Sequence, residues 1–188
     1  SASLVGSEMC IRDSPFVRYA DDSMIFCKSK RAAKRVKESV TRFIEGKLHL
    51  KVNRDKTVVS YVQGVKYLGY SFYVMKGKCQ LTVHPKAKSK MKAKLKELTS
   101  RSNGWGYAKR KQKLEEYIRG WVGYYHLANM KRFLTETDEW LRRRLRMCIW
   151  KSWKRVKTRI ANLIKCGIDK YQAYMWGNSR LGDWRIAG

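Results

Sequence analysis

The chain has 188 residues and a mass of 22.2 kDa, enough for one ordinary domain or two small ones, and 44% of its residues are hydrophobic, which excludes a disordered tail. Lysine and arginine number 43 against 15 acids, a formal net charge of +28. A compact body so charged repels itself unless a polyanion offsets it, which leaves RNA, DNA or an anionic membrane as partner, and the seven Trp and eleven Tyr among the cations suit nucleic acid better than lipid.

Residues 1–14 are Ser-rich, without sustained periodicity and poor in basic residues, and read as an unrelated or disordered leader. Phe16–Tyr19 and Ser23–Cys27 are β-prone runs around Ala20-Asp21-Asp22, which predicts a tight hairpin with the acids at its tip. Ser29 is a capping residue, and Val36, Val40, Phe43 and Ile44 form one apolar stripe, so a helix is expected over 30–45 with Gly46 ending it. Strands are expected at 48–52, 57–61, 66–73 and 79–83, punctuated by Gly64 and by Lys76-Gly77-Lys78.

From Pro85 the pattern turns helical. A helix over 86–100 carries Lys on alternate positions and a narrow stripe of Met91, Leu95 and Leu98. Gly104 and Gly106 end it. A second helix, 108–127, is expected to bury Leu114, Tyr117, Ile118, Trp121 and Tyr125. A third, 130–160, has Leu134, Leu141, Leu145, Cys148 and Val156 on one face, and a last piece covers 169–177. The chain thus divides near residue 85 into an α+β piece and a very basic all-helical piece.

Five cysteines, at 10, 27, 79, 148 and 166, show no metal-ligand spacing and read as reduced thiols of a cytosolic protein, several of them buried. No apolar run approaches the roughly 20 residues of a membrane span. The start SASLVGSEMCIRDS lacks the basic and apolar regions of a signal peptide.

Adjacent aspartates repel one another, and become sensible where a divalent cation binds. Nucleotidyl transfer uses two Mg²⁺ about 3.5–4 Å apart on hard carboxylate oxygens, and a rigid hairpin suits their presentation. The plainer reading of Asp21-Asp22 is an acidic surface turn, and context shifts the balance. Phe16-Val17-Arg18-Tyr19-Ala20-Asp21-Asp22 resembles the YxDD motif of reverse transcriptases in the form found in group II intron proteins. The resemblance continues through Leu50–Thr57 and through Val65–Phe72, which is similar to a primer-grip region. It extends over 117–125, 138–146, 150–155 and 184–188, which resemble the maturase (thumb, or X) domain. In all it covers about residues 15–188. YxDD alone is moderately specific, whereas the ordered series of blocks is highly specific.

The resemblance implies a partial polymerase palm over 15–84 and a helical maturase domain over 85–188. It implies RNA-directed DNA polymerase activity with Mg²⁺ in the intact protein, and assistance to intron splicing. The expected partners are intron RNA and an RNA template with a DNA primer, with deoxynucleoside triphosphates as the small-molecule substrates and no membrane. Asp21 is implied as the metal-bridging carboxylate and Asp22 as its weaker neighbour, with Tyr19 beside them. Lys56 is implied near the phosphates of the nucleotide, and Leu68 and Gly69 where a hairpin approaches the primer, although a plain turn explains Gly69 equally well. The family's third carboxylate precedes YxDD, where this chain has Glu8 and Asp13 in a segment unlike that strand. His49, His84 and His126 form no nuclease pattern, and each reads as a surface or packing residue. The chain therefore reads as truncated at both ends and inactive as a polymerase by itself. Its location would be the bacterial cytoplasm or an organelle.

The basic helical half carries a second expectation. Arg142, Arg143, Arg144 and Arg146, with Lys151, Lys154 and Arg155, have few acids nearby and are assigned to RNA phosphates. Trp150 and Trp153 lie on one side of a helix and read as core. The alternative to a polymerase fragment is a non-catalytic RNA-binding splicing module. An unrelated DNA-binding protein is disfavoured because no helix-turn-helix, zinc-finger or basic-zipper pattern is present.

Overall fold

The computed structural model describes residues 15–187, so the leader, with Glu8, Cys10 and Asp13, and Gly188 lie outside the described residues. The architecture is α+β, and the chain forms two compact units that divide between Leu81 and Thr82.

The first unit opens with β1 (Phe16–Tyr19) paired antiparallel to β2 (Asp22–Ile25). Helix α1 (Lys30–Gly46) follows, and Ser29 caps it by accepting the Ala32 N–H at 3.1 Å. The expected apolar stripe of α1 is half-buried. The strands expected at 48–52 and 57–61 do not form. Leu48, Leu50, Val58 and Tyr61 are exposed there. β-Propensity reports how well a side chain fits a sheet surface, and these runs have no neighbouring strand to pair with among the described residues. Between them the Asn53 carbonyl accepts Thr57 Oγ1 at 2.7 Å and the Asn53 side chain accepts the Lys56 N–H at 3.1 Å, closing a local turn.

The run 66–73 is also not one strand. It is β3 (Lys66–Tyr67), a two-residue turn, and β4 (Tyr70–Met75), with Lys66 opposite Ser71 and Tyr67 opposite Tyr70. Leu68 (φ 49°) and Gly69 (φ 81°) both lie in the left-handed region, as such a turn demands. Lys76 and Gly77 repeat the device, with φ of 50° and 73°, before β5 (Lys78–Val83). The sheet order is β3-β4-β5.

The second unit holds the core. Helix α2 (Pro85–Leu98) starts with Pro85 in its first turn, behind a His84 side chain that accepts the Lys86 N–H. The Met91, Leu95 and Leu98 stripe is buried as expected, against Leu114 of α3 (Tyr107–Tyr124) and Leu141 of α4 (Lys131–Ser152). Tyr117, Ile118, Trp121, Phe133, Trp140 and Leu145 close around that cluster. Between α2 and α3, the buried Arg110 donates to the Ser100 carbonyl and to Asn103 Oδ1 (3.3 and 2.9 Å), which fixes the connecting loop.

The helix expected over 130–160 is two helices. α4 ends at Ser152, and α5 (Val156–Lys165) starts after Trp153–Arg155. Neither Pro nor Gly marks the break. Trp153 leaves the helical region and its freed carbonyl accepts Arg159 Nε at 2.9 Å. That capping contact from a later turn is invisible to periodicity, and it leaves Val156 exposed rather than on the core face. Trp150 is buried, 6.0 Å from Trp153 between ring centroids, with the Arg159 guanidinium over its ring. Helices α6 (Lys170–Gly177) and α7 (Asp183–Ile186) complete the unit. Of the four described cysteines only Cys148 is buried, fewer than the composition suggested.

Candidate nucleic-acid interface

The hairpin tip is built by the β1–β2 register. Tyr19 pairs with Asp22, so the loop is Ala20-Asp21, and Ala20 takes a positive φ of 52° to close it. Arg18 Nε donates to the Ala20 carbonyl at 2.9 Å and steadies the turn. Opposed residues of an antiparallel pair share a face, so Tyr19 and Asp22 project together while Asp21 stands at the apex. All three are exposed.

Two adjacent carboxylates offer hard oxygen donors of the kind Mg²⁺ prefers. However, no group of three or more His, Cys, Asp or Glu side chains able to hold a metal ion exists among the described residues. The pair alone does not complete a two-metal centre. Lys56 lies exposed on the Asn53-capped turn, and no hydrogen bond or ion pair among the described residues links it to the tip. Leu68 and Gly69 form the β3–β4 turn, whose geometry by itself accounts for the glycine.

The seven basic residues of 142–155 divide into two groups. Arg142 pairs with Asp138 at 2.8 Å on the surface of α4. Arg143 donates twice to the Trp184 carbonyl (3.2 and 2.9 Å) and lays its guanidinium 4.1 Å from that ring's centroid. Arg144 reaches the end of α2, donating to Thr99 Oγ1 (2.6 Å) and to the carbonyls of Thr99 (3.1 Å) and Lys96 (3.2 Å). Burial pulls the Arg144 pKa below its ordinary value, with Cys148 opposing. Arg146 donates to the Ala187 carbonyl at 2.8 Å. Three of these four arginines thus satisfy carbonyls at helix ends, a use that a count of neighbouring acids cannot reveal.

Lys151, Lys154 and Arg155 differ. They are exposed at the α4–α5 corner, and no side-chain partner engages them among the described residues. A corner of three free cations suits a polyanion backbone. The α2 helix adds exposed Lys86, Lys90 and Lys96, while Lys94 pairs with Glu97 and Lys92 lies over the Phe133 ring, 5.6 Å from its centroid.

Sequence comparison gives the families that this arrangement resembles. The family described as "Reverse transcriptase (RNA-dependent DNA polymerase)" matches residues 5–72, and the family described as "Group II intron, maturase-specific domain" matches residues 88–167. The chain is thus similar, over two successive stretches that are each less than half of its length, to the reverse transcriptase and maturase domains of group II intron proteins. The reverse transcriptase match covers the hairpin tip, Lys56 and the Leu68-Gly69 turn, and it begins at residue 5, within the segment that composition sets apart. The maturase match takes in most of α2 and runs through α5, including all seven basic residues of 142–155. A relative, the COX1/OXI3 intron 2 protein of Saccharomyces cerevisiae, is 33% identical over 72 residues, which is 37% of this chain and 8% of that protein. The chain thus corresponds to a small part of the relative's length. No helix among the described residues is long and apolar enough to cross a membrane.

Sequence reasoning missed Arg159, which caps the end of α4, and the aromatic face of α6. For the latter a signal was present, since Tyr171, Tyr174 and Met175 fall at i, i+3 and i+4.

Proposed function

We propose that this chain is the part of a group II intron protein that joins the end of a reverse transcriptase palm to a maturase domain, and that its helical unit binds structured intron RNA to assist splicing. The observation that carries the reading is the succession of the two family matches on one strongly basic chain. The cations Lys151, Lys154 and Arg155 at the α4–α5 corner and Lys86, Lys90 and Lys96 along α2 are the phosphate-contacting groups of this reading. Contacts of that kind recognise backbone and shape more than base sequence. Residence would follow the RNA, in the bacterial cytoplasm or in an organelle.

In this reading Asp21 and Asp22 contribute two carboxylates to the polymerase centre of a longer protein, in which Mg²⁺ supports nucleotidyl transfer. Tyr19, Lys56, Leu68 and Gly69 then lie along the path of nucleotide and primer.

Filter binding of the full chain to a structured group II intron RNA tests the reading. Six to ten phosphate contacts would weaken binding by about three to five orders of magnitude between 50 mM and 200 mM salt. Binding no tighter than that of a Lys-rich peptide of equal charge refutes it. For the polymerase role, a longer protein containing this chain should lose RNA-templated primer extension on Asp21→Ala, and unchanged extension removes Asp21 from the centre.

A further inference from the structure

Helix α6 packs on α5 through its small residues. Ala173 and Gly177 are buried, and a Cβ built at Gly177 would come within 2.5 Å of Ile160 Cγ1. At 100° per residue that inward edge leaves Tyr171 and Met175 pointing the opposite way, with Tyr174 beside them. A helix at the surface of a small domain ordinarily turns polar residues outward. Here Tyr171 is 72% exposed, Tyr174 61% and Met175 54%. No ring contact or side-chain hydrogen bond engages either phenol among the described residues.

The charge around this face is one-sided. From Lys151 to Ala187 the chain has nine basic residues and two acids, Asp169 and Asp183. Both acids are already engaged. Asp169 caps α6, accepting the N–H groups of Tyr171 and Gln172, and Asp183 pairs with Arg101 at 3.1 Å. Lys170 at the start of α6, Arg180 just past its end, and Lys165 at the end of α5 are exposed, with no side-chain partner among the described residues. A protein partner for so basic a rim would need a dense acidic surface, whereas a polynucleotide brings phosphates and flat apolar faces together. The eight residues of α6 extend about 12 Å, room for about three bases at 3.4 Å each.

We propose that the outward face of α6, made by Tyr171, Tyr174 and Met175, is a stacking platform for unpaired nucleotides, with Lys170 and Arg180 taking the phosphates at its two ends. The proposal rests on the nucleic-acid-binding reading and adds to it a site for single strands, distinct from the phosphate-contacting corner at Lys151–Arg155. A base gains its contact only when its face is free, so the platform discriminates unpaired segments from duplex.

The test uses the full chain, with fluorescence anisotropy on U20 RNA, dT20 DNA and a blunt 20-base-pair RNA duplex. Tyr171→Leu with Tyr174→Leu keeps apolar bulk and helix propensity but removes both rings. It should weaken single-strand binding about 30-fold, the low end for two bases at 1–3 kcal/mol each, and duplex binding less than about twofold. Whether U20 and dT20 fall equally reports whether the ribose hydroxyl takes part. Tyr171→Phe with Tyr174→Phe should stay within about threefold of wild type, since the ring and not the hydroxyl is used. A second measurement needs no variant. Photocrosslinking of 4-thiouridine-substituted U20 to the wild-type chain, followed by trypsin, should label the peptide 171–180. Labelling confined to other peptides overturns the proposal, as does an equal loss for single strand and duplex. Loss of self-association in the leucine pair at unchanged oligonucleotide affinity gives the face to a second copy of the chain and also overturns it. Intron RNA binding that persists in the leucine pair leaves the proposed function standing. Failure of the wild type to bind intron RNA, with U20 discrimination intact, sinks only the proposed function.

Discussion

Arg144 separates two uses of a cation that look identical in sequence. Its guanidinium donates to Thr99 Oγ1, the Thr99 carbonyl and the Lys96 carbonyl, and Thr99 is fully buried. Arg144→Ala removes three charge-assisted bonds and leaves the end of α2 short of donors, although Cys148 Sγ still reaches the Thr99 carbonyl at 3.2 Å. Half-burial of the arginine discounts each bond, so a loss of about 3 kcal/mol is expected. For a cooperative unit of roughly a hundred residues that lowers the midpoint by about 12 °C, at about 4 °C per kcal/mol. Thermal unfolding of the full chain followed at 222 nm measures it, because every fully buried residue described lies from Val83 onward and the cooperative transition belongs to that unit. Arg142→Ala is the control. Its pair with Asp138 is exposed on both sides and contributes about 0.5 kcal/mol or less, a shift of about 2 °C. If Arg144→Ala melts within about 2 °C of wild type while intron RNA affinity drops tenfold, Arg144 is a phosphate ligand and the structural argument fails.

Replacing Lys151, Lys154 and Arg155 together by Gln should leave the melting midpoint within about 2 °C and flatten the slope of log affinity against log salt by about 2–3, close to one per lost phosphate contact. An unchanged slope removes that corner from the RNA surface. Gly177→Ala should destabilise the α5–α6 pair by about 1–3 kcal/mol, because the new methyl meets Ile160 at 2.5 Å, and a midpoint equal to wild type would show that Ile160 moves aside freely. Burial raises the Tyr117 pKa, with Lys94 opposing. Below an unfolded tyrosine pKa of about 10 both states keep the proton, and above it the unfolded state loses it first. Stability should therefore fall as pH rises through that value towards the folded pKa, and Tyr117→Phe should remove that part of the loss in urea melts at pH 9 and 11.

The family was legible in the residues because it rests on local order. Tyr19-Ala20-Asp21-Asp22 is contiguous and falls within the reverse transcriptase match, and the blocks at 117–125, 138–146 and 150–155 fall within the maturase match, which ends at residue 167, before the block at 184–188. The stripes of α1 and α2 were equally legible, since a 3.6-residue period needs only neighbours along the chain to be read. The strands at 48–52 and 57–61 were misread for a related reason. Period and propensity describe one segment, whereas a strand exists only in a pair.

Composition and order by themselves determined the charge, the α+β class, the family resemblance, the hairpin with its two carboxylates and the core stripe of α2. Only the tertiary structure decided how the cations are spent. Arg143, Arg144 and Arg146 face carbonyls 41 to 48 residues away in sequence, so nothing within a helical turn distinguishes them from the free Lys151, Lys154 and Arg155. The same holds for the break at Trp153, which Arg159 caps from the next helix, and for the α6 aromatics, whose exposure follows from Gly177 pressing against Ile160. A hydrogen-bond donor looks alike wherever it stands in a sequence, and whether its acceptor is a helix end or a phosphate is settled by which surfaces the fold brings together.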